Sequence, residues 1–364
     1  MALQCGIVGL PNVGKSTLFN SLSSAKAQSA NFPFCTIEPN IGMISVPDER
    51  LSKLADLVNP ERVVPNTMEI VDIAGLVKGA SQGEGLGNQF LGNIRTTNAI
   101  IHVLRCFDDD NIVHVDGSVD PVRDKEIIDT ELQLKDLDSV EKRMQKSDKL
   151  ARTGDKDAKK LMEVLTLLKN HLESGKSARS LEIEEMPEAL EDLNLLTGKP
   201  VMYVCNVDEA SVINGNAHVE RVREIVKDEN AEVILISAAI EAEIAELESF
   251  DDKQMFLEEL GLTEPGVHKV IKAAYSLLNL KTYFTAGVKE VRAWNITEGM
   301  SAPQAAGVIH TDFEKGFIRA EVISYENYVK FGSESAARDA GKLSVEGKSY
   351  IVDDGDVMHF RFNV

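Results

Sequence analysis

One tryptophan, four cysteines and 5% aromatic residues are little for a chain of 364 residues, and nowhere does it run apolar for the ~18 residues that a membrane span needs. Three of the cysteines, Cys5, Cys106 and Cys205, sit singly in short apolar runs that read as buried strands. That placement suits packed thiols and excludes a disulfide or metal framework. Positive charge is also scarce: 39 basic residues face 59 acidic ones, a net charge of −20. Such a surface repels phosphate backbones on average, which excludes indiscriminate nucleic-acid binding. The deficit is uneven, since residues 281–364 carry 10 Lys and Arg against 12 Asp and Glu. Any RNA contact is least opposed there. The opening MALQCGIVGL lacks the basic and apolar regions of a signal peptide, so a cytoplasmic protein without a membrane partner is expected.

What is present is a soluble composition, 43% hydrophobic and 27% charged, on a length that suggests two or three domains. Short Ile- and Val-rich runs at Gln4–Leu10, Glu69–Ile73, Ile100–Cys106, Val201–Asn206 and Val233–Ser237 alternate with helical patterns. They predict a parallel sheet covered on both faces, an α/β fold. Between the third and fourth of these runs the chain turns charged and helical. Leu134, Leu137, Val140 and Met144 form one apolar stripe, and Leu161, Leu165, Leu168 and Leu172 another. The polar stretch Lys146–Lys160 lies between them, so an antiparallel helical hairpin is expected as an insert. Residues 281–364 alternate as strands at Thr282–Thr285, Glu290–Ile296, Ile318–Val322, Ser349–Val352 and Val357–Phe362, a small α+β module. The domains read as 1–119 with 197–280, an insert at 120–196, and 281–364.

Gly9-Leu10-Pro11-Asn12-Val13-Gly14-Lys15-Ser16 matches the pattern G-x-x-x-x-G-K-[ST] between a strand and a helix. Backbone N–H groups of Asn12, Val13, Gly14, Lys15, Ser16 and Thr17, aided by the helix N-terminus, suit a phosphate cradle. Lys15 is expected to reach the β- and γ-phosphates and act in catalysis, and the Ser16 hydroxyl to ligate Mg²⁺. Asp72, in Asp72-Ile73-Ala74-Gly75, ends a strand where a carboxylate holds the metal's water shell. Thr36 lies where a first switch places a second hydroxyl on Mg²⁺. The glycines Gly75, Gly79, Gly83, Gly85 and Gly87 suit a mobile second switch.

Guanine-specific switch proteins carry N-K-x-D after the fifth strand, and the aspartate takes two hydrogen bonds from guanine. Here the segment is Asn206-Val207-Asp208-Glu209. Glu209 is a methylene longer than aspartate, and Val207 replaces the lysine that lies along the base. Losing one bidentate contact removes roughly 1–3 kcal/mol of discrimination. Adenine needs an acceptor for its 6-amino group, which Asn206 or a nearby carbonyl supplies. Ser237-Ala238-Ala239 fits the segment that backs the base. The expected ligand is therefore ATP, with Asp208 slipping into the guanine-reading place as the alternative.

GLPNVGKST at Gly9–Thr17, NFPFCTIEPN at Asn31–Asn40, DIAGL at Asp72–Leu76 and NVDE at Asn206–Glu209 together resemble the Obg-like ATPase family, whose bacterial members are called YchF. AGVKEVRAW, HTDFEKGFIRAE and DVMHFRFNV, from Ala286, His310 and Asp356, resemble that family's TGS domain. The resemblance spans essentially the whole chain. It implies a Ras-like P-loop NTPase domain interrupted by a helical hairpin, then a ubiquitin-like TGS domain. It also implies ATP hydrolysis in preference to GTP and association with the ribosome, with RNA contact through the insert and the TGS domain.

Leu76 stands where Ras-type proteins place the water-orienting glutamine, so another group must serve. Asn12 either ligates a K⁺ beside the β–γ bridge or simply caps the loop backbone. His114, in the polar loop after Ile100–Cys106, is the candidate to position or deprotonate water, and family resemblance strengthens it. His102 and His310 read as packed or surface residues. Two rivals to an ATPase switch remain: a GTPase or dual-specificity translation factor, and a nucleotide-gated ribosome- or RNA-binding module in which hydrolysis is incidental.

Overall fold

The computed structural model describes residues 3–24, 41–73, 86–183 and 188–363, which pack as two compact units. The first holds residues 69–270 together with the chain up to Ser23; the second holds 43–68 and everything from Ile271. No helix among the described residues is long and apolar enough to cross a membrane.

Most of a six-stranded sheet lies in the first unit. Its strands are β1 (Gln4–Val8), β2 (Ile41–Ser45), β4 (Thr67–Asp72), β5 (Ala99–Arg105), β6 (Val201–Asn206) and β7 (Val233–Ile236), in the spatial order β2-β4-β1-β5-β6-β7. The pairs β1–β4, β1–β5, β5–β6 and β6–β7 are all parallel. Every residue of β5 and β6 is buried, as continuous apolar runs in a parallel sheet require. Helices α1 (Lys15–Ser24), α3 (Leu86–Thr96), α6 (Ala217–Val226), α7 (Ala238–Glu246), α8 (Phe250–Glu259) and the start of α9 (Gly266–Leu277) complete the unit.

The insert is a hairpin of α4 (Pro121–Arg152) and α5 (Lys156–Glu173). Asp120 caps α4 ahead of a proline in its first turn, and Asp155 caps α5 by accepting from the Ala158 N–H. Lys169 meets Glu141 at 2.7 Å while Gln133 Nε2 donates to the Gly175 carbonyl, so the helices run antiparallel. The two expected stripes meet, with Val140, Leu161, Leu165, Leu168 and Leu172 in one core and Leu137 and Met144 against it, but Leu134 is 39% exposed and stands outside it. The polar stretch proves shorter as a break than its composition suggested. Residues 146–152 stay helical, helped by an Arg152–Asp148 pair at 2.8 Å, and only 153–155 turn, with Gly154 at φ +94°. Buried Asp136 pins α4 by accepting from the N–H groups of Leu196 and Thr197 and the Thr197 hydroxyl.

The second unit is a mixed sheet of β3 (Val63–Val64), β8 (Leu280–Ala286), β9 (Val291–Thr297), β10 (Phe317–Ser324), β11 (Ser344–Glu346) and β12 (Asp356–Phe362), in the order β11-β10-β12-β8-β9-β3. Alternation along each strand gives it two cores. Tyr283, Val322 and Met358 enter one beside α10 (Ala302–Ile309) and α11 (Thr311–Lys315). Phe284, Ile323 and Val357 enter the other beside α2 (Glu49–Val58), α12 (Tyr325–Phe331) and α13 (Glu334–Asp339).

Two sequence readings differ from this arrangement. The boundary drawn at residue 281 leaves 43–68 with the nucleotide-binding segment, whereas Leu51 and Leu54 of α2 pack with Phe284 and Val291, and β3 pairs with β9. The strand expected at Ser349–Val352 is a single bridge, Ser301 to Ile351. Two hydrogen bonds make that bridge: the Tyr350 carbonyl accepts from the Ala302 N–H, and the Val352 N–H donates to the Met300 carbonyl.

Candidate active site

The phosphate loop leaves β1 and enters α1, at the ends of parallel strands where α/β sheets bind ligands. Its curvature rests on backbone that L residues rarely adopt: Asn12 has φ +61° and Gly14 φ +97°. Gly14 has a second reason to be glycine, because a Cβ there would overlap Asn206 Nδ2. Lys15 is buried and its ammonium donates to the Leu10 carbonyl at 2.7 Å, across the mouth of the loop. Burial pushes its pKa down to about 8, against the upward pull of Asp72. A buried ammonium held by a single carbonyl at the head of a helix is suited to an anion. Ser16 and Thr17 are exposed at the start of α1, and Val13 is buried beneath them.

The donors expected to hold Mg²⁺ adjoin one another. Ser16 Oγ donates to Asp72 Oδ2 at 3.2 Å, while Asp72 Oδ1 is buried with no hydrogen-bond partner among the described residues. An orphaned carboxylate oxygen beside a hydroxyl and an anion cradle is the oxygen-donor chemistry that Mg²⁺ takes. The residues fit the ion. Thr36, Gly75 and Leu76 lie outside the described residues.

Asn206 proves to be a brace. Its Nδ2 donates to the Val13 carbonyl at 2.9 Å and its Oδ1 accepts from the Ala238 N–H at 2.9 Å, so it ties the phosphate loop to the Ser237–Ala239 segment. Both ends of its amide are engaged and the side chain is buried. Val207 is likewise core, 2% exposed, and lends no side chain to an open pocket. Ser237 and Ala238 are buried and Ala239 is exposed on the first turn of α7. Asp208 caps the short turn Glu209–Ser211 by accepting from the Ser211 N–H at 2.9 Å. Glu209 is exposed beside it.

The loop after β5 is organised by Arg105, which the sequence reading passed over. Its buried guanidinium donates to the carbonyls of Phe107, Asp109 and Ile112. A charged residue closing an otherwise apolar run was the available signal. So held, the loop offers the Val113 carbonyl to Asn12 Nδ2 at 3.1 Å, a contact between two loops that neither role expected for Asn12 includes. His114 follows at once, but its ring turns inward: Nε2 lies 2.8 Å from Asp124 Oδ2, and Nδ1 accepts the Asp116 N–H at 3.1 Å. Its side chain is thus placed near the loop and not over it. His114, Asp116 and Asp124 bring ligand-type atoms within 4.8 Å, yet Arg123 already puts its guanidinium among them, 3.1 Å from Asp124. That cation occupies the place a metal would need. His102 is packed as expected, 2% exposed, and His310 lies on the surface.

A family model described as a 50S ribosome-binding GTPase matches residues 4–207, and a C-terminal YchF-GTPase model, described as a protein of unknown function, matches 280–363. The chain is 59% identical over 365 residues to the "Ribosome-binding ATPase YchF" of Haemophilus ducreyi, with both chains covered in full. This chain belongs to the YchF family. The Bacillus subtilis protein of the same name is 58% identical over 367 residues, again at full coverage of both. A solved structure described as the YchF GTPase of Schizosaccharomyces pombe superposes with a TM-score of 0.89 at 38% identity, covering 99% of this chain and 98% of that one. The expected fold, a P-loop domain carrying a helical hairpin followed by an α+β module, is the fold of that family. The names of these relatives disagree on the nucleotide: the bacterial proteins are called ATPases, the yeast protein a GTPase.

Proposed function

We propose that this protein binds and hydrolyses ATP in preference to GTP, as a nucleotide-dependent switch that works on the ribosome in the cytoplasm. The names of its full-length relatives support the activity and the partner. The nucleotide preference rests on one observation: neither carboxylate after β6 is set to chelate guanine. Asp208 is committed to the Ser211 N–H, and Glu209 is a methylene too long at the reading position. With Asn206 engaged on both sides, an adenine 6-amino group is left to a backbone carbonyl.

In this reading the N–H groups from Asn12 to Thr17 bind the phosphates, and Lys15 exchanges the Leu10 carbonyl for the β- and γ-phosphate oxygens. Ser16 and Asp72, joined by Thr36, would hold Mg²⁺, which would supply positive charge against that of the transferring phosphoryl group. Asn12 Oδ1 is the atom that would meet a K⁺. Leu76 orients no water, so His114 is assigned that part. RNA contact through the hairpin and the C-terminal module belongs to the same proposal.

Calorimetric titration of Mg²⁺ with ATP and with GTP into wild type and Glu209→Asp tests the preference. Wild type is expected to favour ATP, and the variant to gain about ten-fold or more for GTP, the value of a restored bidentate contact. Equal affinities for both nucleotides in both proteins would remove the pocket argument.

A further inference from the structure

His114 sits one residue from the contact that ties its loop to the phosphate loop, yet its side chain is only 4% exposed and meets Asp124 of α4. The hydrogen bonds fix its tautomer. Nδ1 accepts the Asp116 N–H, so it carries no proton; the proton is on Nε2, which donates to Asp124 Oδ2 at 2.8 Å. Arg123 closes the arrangement, with Nη2 3.1 Å from Asp124 Oδ1 and 3.5 Å from His114 Nδ1. Both ring nitrogens are therefore spent within the protein, and an imidazole so bonded has none left for water. Its neighbours face the other way: Val113 is 75% exposed and Val115 50%. Apolar side chains in solvent beside a buried histidine describe a loop with something to gain by turning over.

We propose that Asp124 is a positioning residue that stores His114 in a resting arrangement, so that turnover is limited by the fraction of molecules in which the loop has turned the imidazole out. The inference rests on the part assigned to His114 in hydrolysis above. Asp124 touches neither the phosphate loop nor the base segment, so its effect falls on kcat and leaves KM nearly alone. Storage costs rate by lowering the competent population, and weakening the store returns that population.

Asp124→Asn keeps the size of the side chain and replaces the carboxylate with a neutral acceptor, which weakens the bond from Nε2–H. In the full-length protein, steady-state ATP turnover is expected to rise about three- to ten-fold with KM unchanged. Adding His114→Ala should return the rate to that of His114→Ala alone. A kcat for Asp124→Asn that is unchanged or lower overturns the proposal, and a lower one makes Asp124 an aid to the chemistry. If His114→Ala turns over like wild type, the part given to His114 fails and the store fails with it. If His114→Ala is slow and Asp124→Asn no faster, only the store fails. ¹⁵N spectra of wild type give a check that no unfolded variant can spoil. They should show His114 as the Nε2–H tautomer, and an Nδ1–H tautomer overturns the arrangement outright.

Discussion

Replacing Asn206 with alanine separates a brace from a base reader. The side chain makes two hydrogen bonds at 2.9 Å, one to the Val13 carbonyl and one from the Ala238 N–H, and it is 5% exposed. Its loss leaves a buried carbonyl and a buried amide without partners, at about 1–3 kcal/mol each. Some water will enter the space, so a loss of about 2–4 kcal/mol is expected for the first unit, or roughly 5–15 °C in its melting temperature. The same cut frees the phosphate loop from the Ser237–Ala239 segment. Ordering the loop then falls to the ligand, and affinity should drop about ten-fold. Because the fault lies under the phosphates, ATP, GTP and inorganic tripolyphosphate should all weaken by a similar factor. Calorimetry with the three ligands, after a denaturation scan of the same preparation, measures both effects. Tripolyphosphate binding that is unchanged while ATP weakens would refute the brace and return Asn206 to the base.

Two predictions concern protons. Lys15 has its pKa lowered to about 8 by burial, whereas beside a triphosphate it stays charged. Binding above that pH must take up a proton, so ATP affinity should fall roughly eight-fold between pH 7.5 and 9, and equal affinities would show that the ammonium is already charged when free. His102 lies wholly within the first unit, and burial, with Lys125, Arg179 and Lys15 nearby, lowers its pKa to about 3. Below the ordinary value of about 6.5 the unfolded chain takes a proton that the folded one refuses, so stability falls as pH falls from 6.5 toward 3, by about 2 kcal/mol at pH 5. Urea midpoints of wild type and His102→Leu at pH 7 and 5 test this: the variant should lose less on acidification, and parallel losses would clear His102.

The parts of the site that could be read from the sequence are those where backbone geometry or phosphate chemistry dictates residue type locally. Gly14 must be glycine for its φ and for the approach of Asn206, and the proposed roles of Lys15 and Ser16 rest on what a triphosphate and its metal would require. The two helical stripes announced the hairpin because a helix repeats its pattern within a few turns. What could not be read joins residues far apart in the chain. Nothing local says that Leu51 and Leu54 belong with Phe284, that β3 will add to β9, or that Asp124 will hydrogen-bond His114. Asn206 was seen, but its motif placed it beside a base while its partners lay at Val13 and Ala238.

Those distant contacts also bear on how the proposed switch would report its state. Asn206 joins the base segment to the phosphate loop, Asn12 joins the phosphate loop to the Val113 carbonyl, and Arg105 gathers the carbonyls that shape the loop up to Ile112. The chain of contacts runs on through His114 to Asp124 in the first turns of α4, the long helix that Asp136 fastens to the segment before β6. Each link is a hydrogen bond that can be made or broken, and only the one at His114 must break if that residue is to meet water. Turnover and the position of the loop at the head of α4 are then two readings of a single equilibrium. A partner that grips Val113 and Val115 when they face it would change both together, without touching the nucleotide.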